Sequence, residues 1–275
     1  MFRFVVPTLL SLFSIVPLSH AKEVNISGST SVARVMDVLA EEFNKSHTDS
    51  FIAVQGIGST AGITMVNKGV VELGMSSRYL TESEKGEDLN VDLIAYDGLA
   101  VVVNRSNTLS NLTQEQLYNI YKGKITNWKQ VGGEDKPIAV VTRETSSGTR
   151  YSFESLLGLT RIINDRLVSD INPSNLVVNS NSMVKTIVNH NQHAIGFISM
   201  GSVDNSVKAI SVEGVAPNSD NIKNHSYLLS RPFLILYKVG AVDKDSKAFI
   251  AFIKSTQGQK IITDYGYTSV SSHKE

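Results

Sequence analysis

The chain has 275 residues, with 26 basic and 26 acidic side chains, 41% hydrophobic residues and no cysteine. This is the composition of a globular protein of one large or two small domains, which excludes a disordered chain. The lack of cysteine excludes disulfides, iron–sulfur clusters, zinc–cysteine sites and a cysteine nucleophile. Zero net charge argues against a nucleic-acid-binding surface, so a bound anion must be held by local donors.

The first 21 residues have the pattern of a targeting segment. Arg3 precedes an apolar stretch over 4–18, and Ser19-His20-Ala21 fits a cleavage site of the form small-x-small. The stretch is short for a membrane-spanning helix, which needs about 18 or more apolar residues. We therefore predict a cleaved signal peptide over 1–21 and a soluble periplasmic protein that starts near Lys22; an uncleaved anchor is the alternative.

Short β-branched runs alternate with amphipathic stretches along the rest of the chain. This alternation predicts an α/β fold with largely parallel sheets. Helix 32–43 places its apolar side chains at the spacing of a helix packed on a sheet, and Thr113 begins a capping-box pattern. The predicted strands are 24–26, 51–54, 72–75, 99–104, 138–142, 194–198 and 233–237, and the predicted helices are 32–43, 117–121, 182–190 and 246–254, with further short helices after Ser59 and Thr149.

Small polar residues recur where a predicted strand leads into a helix. The three junctions are 28–32, 56–62 and 145–149, and Arg143 stands four residues before Ser147. Each offers unpaired backbone N–H groups, the positive end of a helix dipole and hydroxyl donors. For any single junction, ordinary helix capping is a better explanation than ligand binding. Three junctions with one arginine predict an anion site, because a guanidinium binds an oxyanion with two parallel hydrogen bonds.

Other chemistries have less support in the sequence. There is no Gly-Lys-Ser/Thr phosphate loop, and Ser147 does not lie in a Gly-x-Ser-x-Gly nucleophile motif. His190 and His193 lack the acidic or histidine neighbours of a metal site. We expect no metal, no cofactor and no catalysis. Arg78 and Arg150 either help neutralise the anion or pair with surface carboxylates.

Four segments together resemble a known family. They are 28–32, 55–59, Leu112 to Trp128 followed by Gly132-Gly133, and Arg143 to Thr149. The combination of Lys-Ile-Thr-Asn-Trp with Arg-x-x-x-Ser-Gly-Thr is the part of the pattern that is specific to this family. The chain resembles the phosphate-binding proteins of periplasmic phosphate ABC transporters. The resemblance implies a two-lobed type II periplasmic binding protein fold with a hinge and a cleft. It also implies capture of one inorganic phosphate, delivery to the membrane permease of the transporter, and no catalysis.

The resemblance also implies which residues bind phosphate. One lobe would contribute the first two junctions, and the other lobe would contribute the segment from Arg143. The donors expected from the resemblance are Ser29, Thr30, Ser31, the Val32 amide, Ser59, Arg143, Ser147, the Gly148 amide and Thr149.

One position departs from the family pattern. Family members often carry an aspartate in the loop after the third strand, which accepts the proton of phosphate, whereas this chain has Ser76, Ser77 and Arg78. A carboxylate acceptor excludes sulfate, because sulfate has no proton to donate. We predict Ser77 as a site residue at this position and Asp97 as the replacement acceptor, with a turn-forming role for Asp97 as the alternative.

The predicted lobes are 22–103 plus 228–275, and 104–227. We expect a monomer that binds inorganic phosphate and a permease and does not bind nucleic acid. Two alternatives stay open: a binding protein for another tetrahedral oxyanion such as sulfate or molybdate, and a phosphate-ester hydrolase.

Overall fold

The computed structural model describes residues 22–164 and 166–270. The predicted signal peptide over 1–21 lies outside these residues. In the part of the chain that is described, no helix is both long and apolar enough to cross a membrane. The helices are α1 (Thr30–Ser46), α2 (Ser59–Asn67), α3 (Gln114–Lys122), α4 (Gly148–Leu157), α5 (Asn181–His190), α6 (Ser219–Lys223), α7 (Lys244–Lys254) and α8 (Thr256–Asp264).

The strands include all seven that the sequence predicts, and several short ones besides. They are β1 (Lys22–Gly28), β2 (Ser50–Gly56), β3 (Leu73–Ser76), β4 (Leu89–Val103), β5 (Asn111–Leu112), β6 (Ala139–Arg143), β7 (Thr160–Ile163), β8 (Arg166–Ser169), β9 (Leu176–Val178), β10 (Ala194–Ser199), β11 (Lys208–Val212), β12 (Ser230–Lys238) and β13 (Thr268–Ser269).

The main sheet has the order β2-β1-β3-β12-β4-β10-β6-β9. Its two ends are parallel: β1 pairs with β2 and β3, and β6 pairs with β10 and β9. Its centre is antiparallel, because β12 runs against both β3 and β4, and β4 runs against β10 and β11. The α/β fold is confirmed, but the expectation of largely parallel sheets is wrong: β4 and β12 return the chain across the centre and make the sheet mixed.

The buried apolar side chains of the described residues form two main cores and one smaller cluster. The first core packs the apolar face of α1 and the side chains of α7 against β1, β3 and part of β12. The second core and a smaller satellite pack α3, α4 and α5 against β6, β10 and the end of β4. The change of core falls inside β4, between Ala95 and Leu99. The division into lobes at 103/104 and 227/228 stays a proposal, and the cores favour assigning 99–103 to the second lobe.

The start of α7 carries a pH-dependent contribution to stability. Asp243 accepts a hydrogen bond from the Ser246 amide at 2.7 Å and pairs with Lys22 at 2.5 Å. Burial raises the pKa of Asp243, but these contacts outweigh it and lower the pKa to about 2. The carboxylate therefore stabilises the fold fully above the ordinary aspartate pKa of about 4, and this contribution is lost as the pH falls towards 2.

We expect Asp243→Ala to lower the free energy of unfolding by about 1 kcal/mol at pH 7, the usual contribution of a helix cap. The difference from the wild type should shrink steadily below pH 4. Urea denaturation at several pH values measures it, and a difference that stays constant down to pH 2.5 contradicts the assignment.

Candidate functional site

The three predicted junctions meet between the two cores. The amino end of α1 follows β1, that of α2 follows β2, and that of α4 follows β6. The Thr60 amide donates to the Ser146 carbonyl oxygen at 3.2 Å, which joins α2 to the segment before α4. Gly148 packs so closely that a Cβ on it would lie 2.1 Å from Ser59 Oγ. Three helix amino ends, from distant parts of the chain, therefore face one small volume.

Four hydroxyl side chains line that volume, and we call them the hydroxyl cluster: Ser31, Ser59, Ser77 and Thr149. All are at least 98% buried. Ser31 Oγ lies 3.0 Å from Thr149 Oγ1, and Ser59 Oγ lies 3.4 Å from Ser77 Oγ. The first contact joins α1 to α4 across the two cores. The cluster contains residues from both lobes, as the resemblance implies.

A buried arginine that the sequence analysis missed lies at the centre of this cluster. The guanidinium of Arg231, in β12, donates to Ser77 Oγ at 3.1 Å, to Thr149 Oγ1 at 2.8 Å and to Ser31 Oγ at 3.1 Å. Its side chain is 1% exposed. Because a guanidinium only donates, it makes each hydroxyl an acceptor towards itself. Ser31 Oγ also accepts from Asn181 Nδ2, so its hydrogen points to Thr149 Oγ1. The hydrogen of Thr149 is then available to an anion.

Asp97 is the counter-ion of Arg231. Its Oδ2 accepts from Arg231 Nε at 3.0 Å and from Nη2 at 2.7 Å, and its Oδ1 accepts from Ser199 Oγ at 3.0 Å and from the Met200 amide at 3.2 Å. A carboxylate has about four acceptor positions, and these four donors fill them. Asp97 therefore lies at the site, but the expected role as acceptor of the phosphate proton does not fit these contacts.

Burial shifts the pKa values of both members of this pair. Burial raises the pKa of Asp97 and lowers the pKa of Arg231, while the attraction between the two groups opposes both changes. An isolated charge at this depth would be very unfavourable, so each partner requires the other. The pair holds the Arg231 guanidinium at one position and in one orientation.

Arg143 lies at the edge of the same site. It is paired with Glu144 through two hydrogen bonds, of 2.9 and 3.0 Å, and its Nη2 donates to Thr30 Oγ1 at 3.3 Å. Its Nη1 donates to Asn181 Oδ1 at 3.2 Å, and Asn181 Nδ2 in turn donates to Ser31 Oγ at 2.9 Å. Asn181 is the second site residue that the sequence analysis missed. It connects Arg143 to the hydroxyl cluster.

Two of the predicted donors act as helix caps. Ser29 Oγ accepts from the amides of Ser31 and Val32, at 3.2 and 3.3 Å, and Ser147 Oγ accepts from the Arg150 amide at 3.2 Å. The Val32 amide is thus partly occupied by its own cap. The two cap hydroxyls keep their hydrogens for donation, so capping and anion binding are compatible at Ser29 and Ser147.

Arg78 and Arg150 pair with carboxylates. Arg78 donates to both oxygens of Glu84 at 2.7 Å, and Arg150 Nε donates to Glu154 at 2.7 Å. Arg150 also donates to the Arg143 carbonyl oxygen at 2.8 Å, which fixes the end of β6 against α4. These carboxylates are partly buried rather than on the surface. Both arginines thus support the walls of the site.

The arrangement is suited to holding an anion by hydrogen bonds. It combines helix amino ends, hydroxyl hydrogens and one buried guanidinium, in a volume from which water is largely excluded. No group of three or more histidine, aspartate or glutamate side chains placed to hold a metal ion occurs among the described residues.

Comparison with known proteins gives consistent matches over most of the chain. The model of the PBP superfamily domain matches residues 18–257. The phosphate-binding protein PstS of Borreliella burgdorferi is 30% identical over 257 residues, covering 92% of this chain and 92% of that protein. PstS of Bacillus subtilis is 31% identical over 253 residues, covering 90% of this chain and 81% of the relative.

Two crystal structures are also similar. An ABC-type phosphate transport receptor from Vibrio cholerae is 62% identical, with a TM-score of 0.77 over 90% of this chain and 100% of that chain. A phosphate ABC transporter substrate-binding protein from Clostridium perfringens, solved with bound phosphate, is 41% identical, with a TM-score of 0.85 over 91% of this chain and 100% of that chain. The chain therefore belongs to the PBP superfamily and, within it, to the PstS family of phosphate-binding proteins.

Proposed function

We propose that this protein captures inorganic phosphate between its two lobes and delivers it to the permease of a phosphate ABC transporter. The observation that carries the proposal is the buried Arg231, surrounded by the hydroxyls of Ser31, Ser77 and Thr149 at 2.8 to 3.1 Å. The binding site would be completed by further donors from both lobes: Ser29, Thr30, the Val32 amide, Ser59, Arg143, Ser147 and the Gly148 amide. The relatives are named for binding and transport, and the protein is a binding protein rather than an enzyme.

Delivery to a permease places the protein outside the cytoplasm. The proposal also includes cleavage of a signal peptide after residue 21, release of the protein into the periplasm, and a monomeric state. Because the net charge is zero, docking to the permease would depend on local patches rather than on a long-range field.

The alternative ligand is another tetrahedral oxyanion such as sulfate, and one observation supports this alternative. All four acceptor positions of Asp97 are occupied by donors of the chain. The hydroxyl cluster then offers only weak acceptors for a phosphate proton, so exclusion of sulfate would be incomplete.

Isothermal titration calorimetry of the chain from Lys22, stripped of phosphate, tests the proposal. Phosphate and arsenate should bind one-to-one and more tightly than sulfate or molybdate. If phosphate gives no heat and sulfate or molybdate binds, the ligand is wrong and the fold assignment stands.

The same titration separates two roles for Asp97. If Asp97 positions Arg231, Asp97→Asn should weaken the binding of phosphate and of sulfate by the same factor. We expect about tenfold, because the charge-assisted hydrogen bonds between residue 97 and Arg231 become weaker. If Asp97 accepts the phosphate proton, the substitution should weaken phosphate binding and leave sulfate binding unchanged. A changed ratio between the two anions contradicts the positioning role.

A further inference from the structure

The orientation of the Asn181 amide is fixed by the groups around it. Its Oδ1 accepts from Arg143 Nη1 at 3.2 Å and from the Ser199 amide at 3.4 Å. Because a guanidinium and a backbone N–H only donate, the atom facing them must be the oxygen of the amide. The other atom is therefore the nitrogen, and it donates to Ser31 Oγ at 2.9 Å.

This orientation makes Thr149 a donor that cannot accept. Ser31 Oγ accepts from Asn181 Nδ2 and Arg231 Nη2, so both of its lone pairs are occupied. Its hydrogen therefore goes to Thr149 Oγ1, 3.0 Å away. Thr149 Oγ1 also accepts from Arg231 Nη1 at 2.8 Å, which occupies its second lone pair. Thr149 can donate to an anion, but it has no lone pair left for a proton that the anion carries.

Ser59 and Ser77, which we call the serine pair, keep one lone pair free between them. Ser59 Oγ accepts from the Ser77 amide at 3.1 Å, and Ser77 Oγ accepts from Arg231 Nη1 at 3.1 Å. The two hydroxyl oxygens are 3.4 Å apart, so one of the two hydrogens lies between them. Whichever serine provides that hydrogen keeps a free lone pair, and the other serine keeps a free hydrogen. In both arrangements the serine pair presents one donor and one acceptor.

The serine pair faces the proposed position of the phosphate. A Cβ on Gly148 would lie 2.1 Å from Ser59 Oγ and 2.7 Å from Ser77 Oγ, so both hydroxyls face the amino end of α4. Both serines are fully buried, so water does not compete for the free lone pair. The four acceptor positions of Asp97 are already occupied. The free lone pair of the serine pair is therefore a suitable acceptor for a proton on the bound anion.

We infer that the serine pair accepts the proton of monohydrogen phosphate and thereby distinguishes phosphate from sulfate. The inference rests on the proposed phosphate site. Monohydrogen phosphate carries one hydrogen, which it donates to the free lone pair, and one of its oxygens accepts the free hydrogen. Sulfate has no hydrogen and places an oxygen against the free lone pair, which is unfavourable in a buried site. A neutral hydroxyl accepts more weakly than a carboxylate, so sulfate is disfavoured rather than excluded.

Calorimetry at pH 8, where phosphate and sulfate both carry about two negative charges, tests the inference. The wild type should prefer phosphate to sulfate by at least about tenfold. Ser59→Ala combined with Ser77→Ala removes the serine pair and should lower this ratio to about one. Thr149→Val is the matched control, because it removes a hydroxyl that only donates. It should weaken the binding of both anions and leave their ratio within about twofold.

The outcomes separate this inference from the proposed function. An unchanged ratio in the double variant, an equal fall of the ratio in Thr149→Val, or equal binding of the two anions by the wild type overturns the inference and leaves phosphate binding intact. If the double variant binds neither anion, Ser77→Asp decides, because a carboxylate there only accepts. It should raise the ratio at least about tenfold, and an unchanged ratio overturns the inference. A wild type that does not bind phosphate overturns the proposed function itself.

Discussion

Replacing Gly148 with alanine should abolish tight phosphate binding without unfolding the protein. The added Cβ would lie 2.1 Å from Ser59 Oγ, 2.7 Å from Ser77 Oγ and 2.8 Å from Ser59 Cβ. Rotating the Ser59 hydroxyl away cannot relieve the contact with its Cβ. Gly148 and Ser59 belong to helices of different lobes, so the clash arises only on closure.

We expect phosphate affinity to fall by at least about 100-fold, which corresponds to about 2.7 kcal/mol. Stability in the absence of phosphate should change by less than about 1 kcal/mol, because alanine is a good helix residue and each lobe keeps its core. Gly240→Ala is the control, since nothing lies within 4 Å of a Cβ there. Titration calorimetry and thermal denaturation without ligand measure the two effects, and unchanged phosphate affinity refutes closure at this contact.

Replacing Arg231 with methionine should have a large effect on both binding and stability. The substitution leaves the Asp97 carboxylate fully buried without its partner, and breaking a buried pair in this way costs about 3–5 kcal/mol. It also removes the central donor of the hydroxyl cluster. We expect no measurable phosphate binding and a strongly lowered midpoint in urea denaturation.

A second variant distinguishes the loss of the ion pair from simple misfolding. Asp97→Asn combined with Arg231→Met removes the unpaired charge and should recover much of the stability without recovering phosphate binding. Lys254→Met breaks a more exposed pair with Asp92, at 2.6 Å, and should cost less than about 1 kcal/mol. If the double variant is no more stable than Arg231→Met, Asp97 is not the cause of the destabilisation.

The sequence predicts the three junctions well because their signal is local. Gly, Ser and Thr at the end of an apolar strand are visible as a run of neighbouring letters, and the helix face of α1 follows from its period. Ser31, Ser59 and Thr149 were found this way. Ser77 was found only as a departure from the family pattern.

Arg231 and Asn181 were missed for identifiable reasons. Arg231 precedes Pro232, so the predicted strand began at Phe233, whereas the structure begins β12 at Ser230. An arginine within a run of buried apolar residues was the available signal. Asn181 begins α5 after β9, a strand of three residues that was too short to predict, so a fourth strand-to-helix junction went unrecognised.

The start of strand β4 was also predicted at the wrong residue. The prediction began that strand at Leu99, because Asp92, Asp97 and Gly98 interrupt the apolar pattern, but β4 begins at Leu89. The polar residues are tolerated because Asp97 pairs with Arg231 across to β12, a contact 134 residues apart in sequence. Partners this distant carry no local pattern. Asp97 and Arg231 lie where β4 and β12 cross from one core to the other.

A crystal structure of the chain from Lys22 with bound phosphate tests the central claim most directly. We expect phosphate oxygens within hydrogen-bonding distance of Arg231 and of hydroxyls from both lobes, Ser31 and Thr149 among them, with Asp97 still paired to Arg231. Phosphate bound elsewhere on the surface, or bound in the cleft with an oxygen against the Asp97 carboxylate and Arg231 turned away, would contradict it.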